Sequence, residues 1–333
     1  MAILGIHHVT AIATDPQTNV DFYAGTLGLR LVKRTVNFDD PGAYHFYYGD
    51  ETGRPGTILT FFPWPMARRG QRGTGQATVT SFSVPEGSLG WWRERFAAHG
   101  VVAGDPEERF EEDAMVVLDP DGLMLELVAH AGVADVAPWA GAAVPERHAI
   151  RGFRSVTLAV QGYEKTAALL TGTLGFEPAG ERRNRFRFRV GAGAAAADAS
   201  GGPSGTAPGT LVDVVCSPDV APGRVAAGTV HHVAWRVAGD AEQARWRAAL
   251  AGEGLDVTPV LDRQYFHSIY FREPGGVLFE IATDSPGFAL DEPVASLGEA
   301  LKLPPWLEPH RERIAGVLPP ITLPKPDGGE GAA

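Results

Sequence analysis

Two His-His pairs stand near opposite ends of this 333-residue chain, each inside a β-branched and apolar run. One is Ile6-His7-His8-Val9-Thr10, after Gly5; the other is Val230-His231-His232-Val233-Ala234-Trp235-Arg236-Val237, after Gly228. Both runs read as buried strands. Successive strand side chains point to opposite faces, so one His of each pair can face a shared cavity, and His8 and His232 are taken as that pair. A third chemical group is Glu280, within Gly276-Val277-Leu278-Phe279-Glu280-Ile281-Ala282. A carboxylate inside an apolar strand needs a partner, because an unpaired buried charge is very costly. A cation shared by His8, His232 and Glu280 is the economical explanation.

The elements that must position these groups follow from local patterns. After the first strand, Asp15-Pro16-Gln17 suits a helix start, and a helix runs through Phe22 and Leu27 to Gly28. Strands are predicted near 29–38, 43–49 and 56–62, separated by Asp39-Asp40-Pro41-Gly42 and Gly53-Arg54-Pro55-Gly56. This is one β-α-β-β-β unit. A second opens at Gln76–Val84, continues through a helix holding Leu89, Trp92, Phe96 and Ala97, and closes on strands near 114–118 and 123–129.

The second half repeats the plan. Gly152-Phe153-Arg154-Ser155-Val156-Thr157 aligns with Gly5-Ile6-His7-His8-Val9-Thr10, and Gly-Thr-Leu-Gly recurs at 25–28 and 172–175. Asp119-Pro120-Asp121-Gly122 and the strand after it, through Glu126, align with Glu273-Pro274-Gly275-Gly276 and the strand through Glu280. Four units are therefore expected, because each leaves an apolar sheet face that only a neighbour can cover. The fold class is α+β, four βαβββ units paired into two open barrels. Residues 1–131 form an N-terminal domain of two units, 132–150 a linker, 151–285 a C-terminal domain of two units, and 286–333 an extension and tail. The Ala/Gly/Ser-rich 191–208 reads as a flexible surface insertion, and the end from Lys325 as disordered.

Composition narrows the functions. At 44% hydrophobic the chain can bury a sizeable core, and a net charge of −11 argues against nucleic-acid or anionic-membrane binding. Cys216 is the single cysteine, which excludes an intrachain disulfide. The start has no basic and apolar leader pattern and no run approaches a membrane span, so the expected location is cytoplasmic.

The His-His strands, the unit count and the closing Pro-x-Gly-x-x-x-Glu strand together resemble the vicinal oxygen chelate superfamily of glyoxalases, bleomycin-resistance proteins and type I extradiol dioxygenases. More closely, Val32–Asp39, Tyr44–Asp50, Pro55–Pro63 and Asp262–Gly276 resemble the hydroquinone-cleaving dioxygenases. That resemblance implies that His8, His232 and Glu280 hold Fe(II), with Thr10, His231, Arg263 and Tyr270 around substrate and metal. Two His and one carboxylate leave three coordination positions open, suited to Fe(II) with a small aromatic diol and O₂; Zn²⁺ or Mn²⁺ accepts the same donors. Phe38, Phe62 and Phe266 would wall the ring pocket. Strict alternation turns His231 away from the face of His232, so its role requires strand twist, a bulge or a neighbouring wall. In catechol-cleaving relatives the first His stands where this chain has Ser155. The implied reaction is insertion of O₂ into a hydroquinone ring. Its rivals are catechol extradiol cleavage, sequestration of an aromatic or quinone without turnover, and glyoxalase-type isomerisation; a homo-oligomer is left open.

Other candidates have plainer readings. Glu126 is the counterpart of Glu280, but Val79 stands where His232 would, so Glu126 is expected to be a paired or partly solvated relic of the repeat. Arg182–Arg189 is expected to be a strand with arginines outward and Phe186 and Phe188 inward. His45 and His267 are taken as pocket-lining or structural, and Cys216 as a small buried residue.

Overall fold

The computed structural model describes residues 1–133, 136–191 and 208–324. The expected insertion, apart from Gly191 and Pro208, and the tail from Lys325 lie outside them. The first unit supplies strands β1 (Ile6–Ala13), β2 (Arg30–Val36), β3 (Tyr44–Gly49) and β4 (Ile58–Pro63). The second supplies β5 (Gln76–Pro85), β6 (Glu107–Arg109), β7 (Glu112–Leu118) and β8 (Met124–His130). The third gives β9 (Phe153–Val160), β10 (Phe176–Arg182), β11 (Arg185–Val190) and β12 (Leu211–Cys216), and the fourth β13 (Thr229–Val237), β14 (Leu261–Asp262), β15 (Phe266–Arg272) and β16 (Leu278–Pro286).

Each unit is a meander whose last strand returns parallel to its first, as β4 does to β1 and β16 to β13. Helical segments follow the first strands. The Pro16–Val20 helix is capped by Asp15, whose carboxylate accepts from Thr18 N at 2.7 Å. Trp92 and Phe96 on the Leu89–Ala98 helix, and Trp246 and Leu250 on the Asp240–Gly252 helix, are buried in the core. Among the described residues no helix is long and apolar enough to cross a membrane.

The two curled sheets each contain eight strands, in the orders β14-β15-β16-β13-β1-β4-β3-β2 and β10-β11-β12-β9-β5-β8-β7-β6. The first unit thus joins the fourth through antiparallel β1 and β13, and the second joins the third through β5 and β9. Residues 1–131 and 151–285 each give one unit to each sheet. This exchange is what brings the two His-His strands, more than 200 positions apart, into hydrogen-bonded register.

Consecutive units are tied by a recurring device. Asp119 accepts from Asp121 N and Leu123 N in its own turn and from Tyr23 OH, at 2.9, 2.7 and 2.9 Å, which links the second unit to the first. Glu273, its counterpart, accepts from Gly275 N, Val277 N and Thr166 Oγ1, which links the fourth unit to the third. Gly228 lets the chain enter β13 beside this contact: at φ 78°, a Cβ there would lie 2.1 Å from Asp121 O.

The extension after β16 packs on the first unit. Lys33 is fully buried, 2.6 Å from Asp291 and 2.5 Å from Glu292, and its ammonium lies 5.0 Å from the centroid of the Tyr265 ring. Breaking such a buried group costs about 3–5 kcal/mol, because the partners stay behind uncompensated. Phe288 and Leu297 complete this contact with Val32, Tyr47 and Phe266, a wall of the pocket below.

Candidate metal centre and its pocket

His8, His232 and Glu280 converge on the concave face of the first sheet. His8 Nε2 lies 3.3 Å from His232 Nε2 and 3.3 Å from Glu280 Oε2, and His232 Nε2 lies 2.9 Å from Glu280 Oε2. All three residues are buried, and this is the one group of three or more His, Cys, Asp or Glu with metal-holding geometry among the described residues. One ion about 2.1 Å from each donor requires donor–donor separations of about 3.0–3.4 Å, for right-angled to tetrahedral arrangements. The two separations from His8 fall within that range, and the one between His232 and Glu280 lies just below it.

The strands place both imidazoles inward through irregular register. Ile6 pairs with Trp235 and His8 with Ala234, so His7 is an extra residue; Thr10 pairs with His232 and Ala11 with Val230, so His231 is another. These are β-bulges, which re-aim side chains that regular alternation would turn outward. His7 Nδ1 therefore reaches His8 Nδ1 at 2.9 Å, and His231 Nδ1 reaches His232 Nδ1 at 2.7 Å. Of the explanations open for His231, the bulge is the one that applies.

Electrostatics favour a cation at the centre of the triangle. Burial pushes the Glu280 carboxyl upward, but His8 and His232 outweigh it and hold the pKa well below the usual carboxylate value. Burial lowers His7, His232 and His231, the last to about 3, so these rings are neutral near pH 7. With the proton assigned to Nδ1 of His8 and His232, both Nδ1 pairs are satisfied. Two bare Nε2 lone pairs then face Glu280 Oε2, a buried oxygen with no hydrogen-bond donor. The other carboxylate oxygen accepts from Ser268 Oγ, which orients it. A carboxylate with an orphaned oxygen beside two imidazole Nε2 atoms suits one divalent ion.

A cavity of about 270 Å³ opens beside the triangle. Thr10, His231, Arg263 and Tyr270 line it, as do Phe38, Phe62 and Phe266, so every residue singled out for the site apart from the fully buried Glu280 borders this space. Arg263 Nε donates to Tyr270 OH at 3.2 Å, and Arg263 Nη1 pairs with Asp39 at 3.1 Å. Burial first, and Glu280 second, raise the Tyr270 phenol above its ordinary value, so it keeps its proton.

His45 also lines the cavity, within a chain of contacts. Tyr47 OH lies 2.9 Å from His45 Nδ1, His45 Nε2 lies 2.9 Å from Thr60 Oγ1, and Thr60 Oγ1 lies 2.8 Å from Thr10 Oγ1. Sequence reasoning misses Tyr47, Thr60, Ser268 and His7 as site residues. Their signal is the alternation of Tyr47 with His45, and the excess of polar residues in strands that are otherwise apolar. His267 lies outside the cavity and pairs with Asp240 at 2.6 Å.

The second sheet shows what the same scaffold becomes without the histidines. Ser81 stands beside Glu126 as Ala234 does beside Glu280, and Val116 pairs with Glu126 as Tyr270 does with Glu280. Glu126 is buried and paired: Arg109 clasps it at 2.9 and 2.5 Å, and Ser81 Oγ donates at 2.8 Å. Arg109 matches Arg263 in the gap-free alignment of 107–126 with 261–280. One repeat thus satisfies its carboxylate with a guanidinium, and the other leaves it to the two histidines.

Two expectations are corrected here. Two of the three arginines of β11 do not point outward: Arg187 is buried, 2.8 Å from Asp213 and 2.9 Å from Glu112, and Arg185 lies 3.0 Å from Asp213, while Arg189 is exposed as expected. Phe188 is buried on the opposite face and Phe186 stacks on Tyr163 at 3.8 Å. Both faces are covered around Arg187 and Phe188, and carboxylates from β7 and β12 make the arginine face the ionic one. Cys216 is only partly buried, at the end of β12, with Sγ 3.5 Å from Gln161 O.

Comparison with known proteins places this architecture. The glyoxalase/bleomycin resistance protein/dioxygenase superfamily profile matches residues 5–127 and 152–281. The chain belongs to this superfamily. Within it, MhqO of Bacillus subtilis (strain 168), named provisionally as a ring-cleaving dioxygenase, is 47% identical over 318 residues, covering 95% of this chain and 96% of its own. The chlorohydroquinone/hydroquinone 1,2-dioxygenase of Sphingobium indicum is 36% identical over 318 residues, covering 93% and 94%. A crystal structure of a Bacillus subtilis protein provisionally named a dioxygenase superposes with a TM-score of 0.88 at 46% identity, over 97% of this chain and 99% of that one. Glyoxalase I from Zea mays shares the fold of this superfamily member at a TM-score of 0.61 and 14% identity, over 84% and 92%.

Proposed function

We propose that the chain is a ring-cleaving dioxygenase that inserts O₂ into hydroquinone (1,4-dihydroxybenzene) or a substituted hydroquinone, with Fe(II) held by His8, His232 and Glu280. The observation that carries this reading is the convergence of three buried donors, two of which, His8 and His232, line a cavity walled by Phe38, Phe62 and Phe266. Relatives that match nearly the whole chain, and that are named for ring cleavage and for hydroquinone, support it. When bound, the ferrous ion supplies an electron-rich centre with open positions for a phenolate and O₂.

The chain's own residues then bind, orient and move protons. A para-diol cannot chelate one ion through both oxygens, so side chains must fix its tilt. The phenyl walls hold the ring. Arg263 is always charged and cannot serve as an acid, but beside the ring it stabilises an enolate oxygen as charge develops. Tyr270 carries the transferable proton, at a position where the guanidinium contact steadies the phenolate left behind. His231 accepts from His232 through Nδ1 in the assigned tautomer, which leaves its Nε2–H free to donate into the cavity. Thr10 is fixed by Thr60 and offers a hydroxyl near the metal donors.

The test is anaerobic Fe(II) loading followed by O₂-electrode assays over a panel of hydroquinones and catechols, with the products identified. Stoichiometric O₂ uptake with ring-opened product from hydroquinone is expected. Cleavage of catechols alone, or tight binding without O₂ uptake, would overturn the assignment.

A further inference from the structure

Beyond the cavity at the metal donors, the first sheet borders a second space of about 340 Å³. Trp64, His231 and Leu278 line both cavities, so the two adjoin across a partition of three side chains. The continuity is built into the strands. His8, Thr10 and Ile12 alternate on one face of β1, and Glu280 and Leu278 share a face of β16, so Ile12 and Leu278 carry the floor of the metal site onward. Ile12, Ala77, Val225, Val230, Val277 and Leu278 give the second space an apolar side, and Gln76, His231 and Arg272 give it a polar one.

An unsubstituted diol, a six-carbon ring with two oxygens, has no group that extends past this partition when one oxygen lies at the His8, His232 and Glu280 donors. We propose that the second cavity receives an apolar substituent on the ring, so that the preferred substrates are alkyl-substituted hydroquinones with side chains of several carbons. This inference rests on the hydroquinone reading above and specifies its substrate class. A side chain that leaves the ring beside His231 passes Trp64 and Leu278 and lies against Ile12 and Val225. Each methylene taken from water against the apolar side of the lining is worth about fourfold in binding. A pentyl chain therefore gains at least about tenfold even when only part of it is buried. The ring chemistry is unchanged: O₂ remains the oxidant, both its atoms enter the ring-opened product, and the side chain takes no part.

Val225 is the residue to alter, because it is 40% exposed, lies outside the strands, and lines the second cavity without lining the first. The probes are pentylhydroquinone and hydroquinone, assayed for kcat/KM with the iron-loaded protein and for binding by calorimetry without O₂. The wild type should favour pentylhydroquinone by about tenfold or more. Val225→Phe should lower binding and kcat/KM for pentylhydroquinone by about tenfold or more and leave hydroquinone within about twofold. Val225→Ala, a smaller residue that keeps the space open, should retain the preference. Equal binding of the two diols by the wild type, or an equal loss of both in Val225→Phe, would overturn the proposal. If no diol is turned over but Val225→Phe selectively loses pentylhydroquinone binding, the second cavity stands as a side-chain site and the dioxygenase reading fails.

Discussion

His7 Nδ1 lies 2.9 Å from His8 Nδ1, because a bulge in β1 turns both residues of a consecutive pair toward the same face. The contact fixes the ring that presents Nε2 to Glu280, while His7 itself stays outside the substrate cavity. His7→Phe keeps a ring and removes the acceptor. Outer partners of metal-bound histidines typically contribute 10–100-fold in metal affinity, and a loss of about that size is expected here. Competition with a calibrated chelator measures it; unchanged affinity would show that the Nδ1 contact does not support the donor.

Tyr270→Phe separates binding from chemistry. The ring remains in the wall and the metal donors are untouched, so metal content and KM should change little. Loss of the phenolic proton should lower kcat by roughly 10²-fold or more. Protein of matched iron content under saturating O₂ provides the comparison, and near wild-type kcat would leave His231 as the leading donor.

The three candidate metal donors are legible in the sequence because histidine and glutamate are conspicuous in apolar strands, and because the turn before Glu280 repeats the one before Glu126. What stays hidden depends on distant parts of the chain. A bulge at His231 is a property of the register between β1 and β13, which no local pattern in either strand contains. Alternation in β11 correctly puts Arg185 and Arg187 on one face and Phe186 and Phe188 on the other. Which face meets carboxylates depends on Asp213 and Glu112, in other strands of the same sheet. Likewise, nothing near Glu126 announces that Arg109, from a three-residue edge strand, will clasp it.

That pairing gives the third prediction. Arg109→Met leaves the Glu126 carboxylate buried without its guanidinium and should destabilise the protein by about 3–5 kcal/mol in chemical denaturation. Arg109→Met combined with Glu126→Gln should recover a large part of the loss, since the stranded charge is gone. Metal content per folded chain should match the wild type in both, because this cluster belongs to the other sheet. A loss of metal in either variant would contradict the division between the two sheets.

Asp119 sets a pH dependence. Burial raises its carboxyl from 3.8 to about 6, against the lowering by Leu123 N, Tyr23 OH and Asp121 N. The folded state therefore holds this proton more tightly than the unfolded chain does. Its contribution to stability is complete below about pH 4 and disappears as pH rises through about 6. Holding the proton about a hundredfold more tightly corresponds to about 3 kcal/mol. Asp119→Asn carries no titrating group, so the stability of the wild type relative to this variant should fall by up to about 3 kcal/mol between pH 4 and 7. A difference that is flat with pH, measured by denaturant titration of metal-free protein, would remove Asp119 as its source.

The most direct measurement is the metal content and hydroquinone turnover of His8→Ala, which removes the one donor that the first unit brings to Glu280 and His232 of the fourth. Elemental analysis of the reconstituted wild type should find about one iron per chain, as a single three-donor site requires. In His8→Ala, iron should fall to a small fraction of that and ring cleavage should be nearly abolished, with the fold retained. Full iron occupancy with normal turnover in His8→Ala would contradict the site.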